Sequence, residues 1–198
     1  MKMNPVKFKK MARVLRIILN ICLWAGAAAG AAATIATMVF IFRPELLSGL
    51  AESGRMSVSL GFSEIVTYRL GSDILDASKF RPVLYTIVPA IAILLAMYVI
   101  IVKQIVDILK TIERDCPFAE ENSKRLGIIG TVMLVGSVVF NITQSAMATA
   151  VIMSYNIPNF DVKYSIDKNM LLMGLLVLIL AGVFKYGSFL QNEYDSTL

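Results

Sequence analysis

Between Arg16 and Arg43 the chain runs 26 residues, Ile17 to Phe42, without one charged side chain. Three more such stretches follow: 20 residues from Val83 to Val102, 35 from Leu126 to Phe160 and 16 from Asn169 to Phe184. About 20 predominantly apolar residues in a helix cross the hydrocarbon core of a bilayer. The first three stretches meet that length. The fourth meets it when the helix tilts or when Lys185 snorkels to the interface. Backbone groups in lipid must be paired within the chain, so only helices or a closed barrel can span. These stretches are continuous rather than alternating, which excludes the barrel. The expected fold is an all-α membrane protein with four transmembrane helices at about 16–42, 83–102, 126–154 and 169–186, one domain over residues 1–198.

Composition agrees: 57% of the 198 residues are hydrophobic and the mean hydropathy is +0.72. A soluble domain of this length needs no charge-free runs to bury a core. No connection is long enough for a separate globular core. The first apolar stretch exceeds the 7–15 residues or so of a signal-peptide core, and Met38 to Phe42 continue it past the small residues Ala31 and Ala33, so it reads as a retained transmembrane helix. Histidine is missing from the chain, and with it the commonest general base and metal ligand. Cys22 lies inside the first stretch and Cys116 in the second connection, an arrangement that argues against a disulfide or a thiolate metal site. Cys116 is also a juxtamembrane candidate for palmitoylation, though an inert thiol is the simpler reading. No cofactor is expected.

Lys and Arg bias sets orientation. Lys2, Lys7, Lys9, Lys10, Arg13 and Arg16 precede the first stretch with no acid among them. Placing this end inside puts twelve bases in the cytoplasm and seven outside. The expected location is a bacterial plasma membrane, multi-pass, with both termini cytoplasmic. The basic start would then rest on an anionic inner leaflet, and no direct nucleic-acid contact is expected.

On the outer side, Met56 to Leu60 and Ile65 to Tyr68 read as short strands around Gly61, and Ser72 to Ser78 as a short helix. Pro158, Val162 and Tyr164 of the third connection could complete a small extracellular cap. On the inner side, the second span is expected to continue as a polar helix from Lys103 to Arg114. Asp107 and Lys110 can meet on one face, with Ile105, Ile108, Leu109 and Ile112 forming an apolar stripe. A helical hairpin then turns at Asp115 and Cys116. Either residue can cap the next helix, Pro117 suits its first turn, and Glu120 and Glu121 lie near its positive end.

Within the spans, Gly26 and Gly30 form a G-x-x-x-G that serves either a dimer or packing inside the bundle. Gly127, Gly130, Gly136, Gly174 and Gly182 could supply matching small faces. Asn141, Gln144, Ser145 and Thr149 share one helical face in the third span. Such a stripe lines a polar cavity or bonds across helices, here to Thr34 or Thr37. Pro89 should kink the second span, with Thr86 near the freed carbonyl. No phosphate loop, dinucleotide fingerprint, catalytic triad or zinc spacing occurs. No Asp, Glu, Lys or Arg sits mid-span, which counts against ion-coupled transport.

Pro117-Phe118, Asn122, Arg125-Leu126 and Ile129-Gly130 form a P-F-x-x-x-N-x-x-R-L-x-x-I-G pattern. Phe184, Gly187, Leu190 and Glu193 form F-x-x-G-x-x-L-x-x-E near the chain's end, before Asp195-Ser196-Thr197-Leu198. Together these resemble an uncharacterised bacterial family of four-helix integral membrane proteins, although Cys116 replaces a glycine often found before Pro-Phe. The resemblance implies no enzymatic activity. It implies a membrane partner for a small helix-turn-helix regulator often encoded alongside.

Three functions follow as expectations. The first is a non-enzymatic regulatory or interaction protein that docks a cytoplasmic partner through Pro117, Phe118, Asn122, Arg125 and Leu126, or uses those residues to lock the hairpin to the tail. The second is a small oligomeric channel or carrier lined by Asn141, Gln144 and Thr149. The third is a membrane enzyme using Glu113, Asp115, Glu120 and Glu121, acids that a solvated hairpin explains more simply.

Overall fold

The computed structural model describes residues 5–43, 45–46, 58–61, 67–70, 77–156 and 165–196. Lys2, residues 72–76 of the expected helix Ser72 to Ser78, the third-connection residues Pro158, Val162 and Tyr164, and Thr197-Leu198 lie outside them. The described helices are α1 (Pro5–Phe42), α2 (Ala77–Glu113), α3 (Glu120–Tyr155) and α4 (Lys168–Ser196). All four are long and apolar enough to cross a membrane. Each begins before its charge-free stretch, and α2 and α4 also run on past it. α2, for example, carries the polar segment from Lys103 onward as one continuous helix through Pro82 and Pro89. The Thr86 hydroxyl donates to the Val83 carbonyl at 2.8 Å. It therefore does not serve the Tyr85 carbonyl that Pro89 leaves free, because a short Thr side chain reaches back along its own turn.

Two strands, β1 (Val58–Gly61) and β2 (Thr67–Leu70), pair antiparallel with Val58 opposite Leu70 and Gly61 opposite Thr67. Residues 56–57 and 65–66 of the two expected strands lie outside the described residues, and β2 runs two residues past Tyr68, to Leu70.

The chain divides into two compact units. One comprises Met1–Ala29, Leu94–Phe140 and Ile166–Leu198; the other comprises Gly30–Ile93 and Asn141–Ser165. In the first unit Leu126 and Ile129 of α3 and Ala181 of α4 form a core, joined by Ile101, Ile105 and Ile108 from α2 and by Phe184. The apolar stripe of α2 thus meets the core with Ile105 and Ile108, and Leu109 is buried as well. α3 and α4 touch backbone to backbone. A Cβ placed on Gly130 would lie 3.0 Å from the Gly174 carbonyl oxygen, and one on Gly174 would lie 3.1 Å from that of Gly130. Without a hydrophobic driving force in lipid, such close approach is a main source of helix association. In the second unit Val83, Leu84 and Val151 form a small core flanked by Phe40, Ile41, Ile87 and Tyr155.

Helix starts follow local chemistry. Asp167 caps α4: its carboxylate accepts from the Met170 N–H at 2.9 Å, while its own N–H donates to the Ser137 carbonyl at 3.1 Å. This satisfies a donor that the first turn leaves without a helical partner.

Candidate functional site

The connection from α2 to α3 gathers most of the polar side-chain bonding of the first unit. α2 closes when Asp115 adopts a left-handed conformation, φ 62°. The Cys116 N–H then donates to the Thr111 carbonyl at 3.0 Å, and the Asp115 N–H to that of Ile112 at 3.2 Å. This is the paired closure in which glycine is the usual left-handed residue. Asp115 therefore ends α2 rather than capping α3. Pro117 lies in the turn, and α3 begins at Glu120. Proline disfavours helical backbone at the residue before it, which lengthens the turn.

Asn122 is fully buried in the first turn of α3. Its amide nitrogen donates to the Thr111 hydroxyl at 2.6 Å and to the Pro117 carbonyl at 2.9 Å. Its oxygen accepts from Arg125 Nη1 at 2.9 Å, and the same Nη1 donates to the Asp107 carbonyl at 3.1 Å. So Asn122 and Arg125 tie the turn to the end of α2, not to the tail. The tail is held by other residues. The Ser123 hydroxyl donates to the Ala181 carbonyl at 2.8 Å. The Phe118 ring lies 5.3 Å from that of Phe184, tilted by 43°, and covers Gly187, where a Cβ would meet it at 2.8 Å. Leu126 enters the core, while Phe118 keeps 41% of its surface exposed.

The basic start of α1 reaches the same turn. Arg16 Nε and Nη2 donate to the two oxygens of Glu113 at 2.7 and 3.3 Å, a two-pronged contact with the Glu113 side chain only 15% exposed. Arg13 lies 3.9 Å from Glu113, and Lys9 pairs with Asp115. Sequence reasoning gave these bases to the leaflet and missed Glu113 as their partner. The available signal was a wholly basic segment facing a connection with five acids. Ser123 was missed too, since a single serine beside a membrane helix has no pattern. Asp107 and Lys110 pair at 2.7 Å on one face, and Glu120 with Lys124 at 2.8 Å.

The other candidate residues disperse. Asn141 accepts from the Ser165 hydroxyl at 2.9 Å, Thr149 donates to the Ser145 carbonyl at 2.8 Å, Ser145 is buried and Gln144 is exposed. Thr34 and Thr37 donate to carbonyls of their own helix, at Gly30 and Ala33. Thr149 does border a groove with Pro82, Thr86 and Ser154. Gly26 packs inside its own unit: a Cβ there would meet the Tyr98 ring at 2.5 Å, and the Tyr98 hydroxyl donates to the Cys22 carbonyl at 2.6 Å. Among the described residues no three of Cys, Asp and Glu gather as a metal site.

Residues 76–198 match the family described as Protein of unknown function (DUF2975), and the chain belongs to that family. The match takes in α2, α3, α4 and the whole α2–α3 turn. No curated protein and no solved structure matches the chain.

Proposed function

We propose that this chain is a non-enzymatic multi-pass protein of a bacterial plasma membrane. Its α2–α3 hairpin and α4 tail, on the cytoplasmic side, hold or release a cytoplasmic partner. A small helix-turn-helix regulator is the partner class that the family resemblance implies. The observation that carries this reading is the contrast within the hairpin. Its interior is locked by Asn122, Arg125 and Ser123, while Asp115, Phe118, Glu121 and Lys124 remain exposed on its surface. A rigid element that presents a half-exposed aromatic and mixed charges is a good docking surface, because little ordering entropy is lost when a partner binds.

The excess of bases on the N-terminal side supports a cytoplasmic placement of this end. A channel along α3 is less well supported. Thr149 bonds within its own helix, Asn141 accepts from Ser165, and Gln144 does not join them.

Affinity capture from mild detergent tests the proposal, with wild type compared against Phe118→Ala, Lys124→Glu and Arg125→Ala. The first two leave the Asn122 and Arg125 bonds in place, and Lys124→Glu also leaves the Phe118–Phe184 contact that holds the tail. A cytoplasmic protein retained by wild type and lost with either surface variant, at equal membrane abundance, is the expected result. A profile identical across all four proteins would overturn the docking role.

A further inference from the structure

The five bases on the described start of α1 fall into two sets. Lys9, Arg13 and Arg16 face the acids Glu113 and Asp115. Lys7 and Lys10 are exposed and have no acid partner among the described residues. A helix turns about 100° per residue, so Lys7 lies about 150° around α1 from the middle of the acid-facing set, and Lys10 lies between, about 60° from Arg13. The unpaired lysines share their side with Met11, Val14, Leu15 and Ile18, and the six border one shallow groove. All four apolar residues are exposed. The order along the axis matters: the cations come first, and the apolar side chains follow toward the charge-free stretch, about 16 Å from Lys7 to Ile18.

We infer that this face is a binding site for an anionic phospholipid, with Lys7 and Lys10 on the headgroup phosphate and Met11, Val14, Leu15 and Ile18 along the acyl chain. Charge complementarity selects the headgroup, since ammonium groups near a membrane surface attract acidic lipids. The apolar residues supply the second half of the recognition, since a cation alone would not need them on the same face. The ion pairs of Lys9, Arg13 and Arg16 hold α1 against the α2–α3 turn, so the site is presented by a fixed helix. This inference does not depend on the docking role of the hairpin.

The test reconstitutes the full chain in nanodiscs containing mixed phosphatidylglycerol and phosphatidylcholine, and counts retained lipids by native mass spectrometry. Wild type should enrich phosphatidylglycerol. Each lysine should contribute about fivefold, so Lys7→Gln/Lys10→Gln should lower the enrichment about 25-fold. Lys7→Arg/Lys10→Arg should keep it. Lys9→Gln/Arg13→Gln makes the same charge change on the acid-paired face and should keep most of it. Undiminished enrichment in Lys7→Gln/Lys10→Gln would overturn the inference and leave the face to a protein partner. An equal loss in Lys9→Gln/Arg13→Gln would overturn it as well, in favour of bulk charge.

Discussion

Asn122 has no exposed surface, and its amide serves three partners: the Thr111 hydroxyl, the Pro117 carbonyl and the Arg125 guanidinium. Removing a buried partner strands the groups that faced it, at about 1–3 kcal/mol. Asn122→Ala is therefore expected to lower stability by about that amount, read as a drop in thermal unfolding temperature in detergent micelles. Asn122→Asp should also destabilise. It keeps an acceptor beside Arg125 but loses the donor to Thr111 and sets a carboxylate against the Pro117 carbonyl. An unchanged unfolding temperature in both variants would mean that the bonds are replaced by water. The three-residue spacing of Asn122 and Arg125 makes their common face legible in the sequence. Their partners were not legible. Thr111 and Asp107 belong to the preceding helix, and only the geometry of the turn brings that helix back over them.

At the scale of elements, the helices are legible and their ends are not. Charge-free length without alternation specifies α1 to α4, since outside a closed barrel only a helix pairs every backbone group in lipid. Which residue closes α2 depends on a competition that composition does not decide. Asp115 is a good N-cap by type, yet Pro117 two residues later delays α3, and the left-handed position after Arg114 falls to Asp115. Short polar residues tolerate that conformation, and Asn156 does the same after α3, at φ 47°. β-Branched residues do not tolerate it, and strain of this kind costs about 1–3 kcal/mol. Asp115→Val is thus expected to destabilise by that order. Asp115→Gly removes the strain but loses the exposed pair with Lys9, worth about 0–1 kcal/mol, and should be close to neutral. Reversible unfolding of the two variants checks this. Equal effects of Val and Gly would mean that Asp115 acts through its charge and not through its backbone.

Across the molecule, apolar surface is distributed unevenly among the helices. No residue in the most apolar window of α1 is buried, whereas 22% of the corresponding window of α3 is. A helix with so little burial needs other ties, and in the first unit several are polar: the Tyr98 hydroxyl on the Cys22 carbonyl, the Arg16 fork on Glu113 with Arg13 beside it, and Lys9 on Asp115. The fork is the strongest candidate, since paired N–H donors match a carboxylate and Glu113 is largely shielded. Arg16 itself keeps 32% of its side chain in contact with solvent, so screening trims the gain below that of a fully buried pair. Arg16→Glu places two carboxylates together and is expected to cost about 1–3 kcal/mol; Glu113→Arg, which crowds cations against Arg13 and Arg16, should cost a similar amount. The double exchange Arg16→Glu/Glu113→Arg restores opposite charges at the same two places. A double-mutant cycle on unfolding free energies should then show a favourable coupling of about 1 kcal/mol or more, shrinking as salt rises. If the two effects simply add, the fork contributes no specific coupling, and α1 is held by its apolar contacts, by Tyr98 and by the Lys9–Asp115 pair.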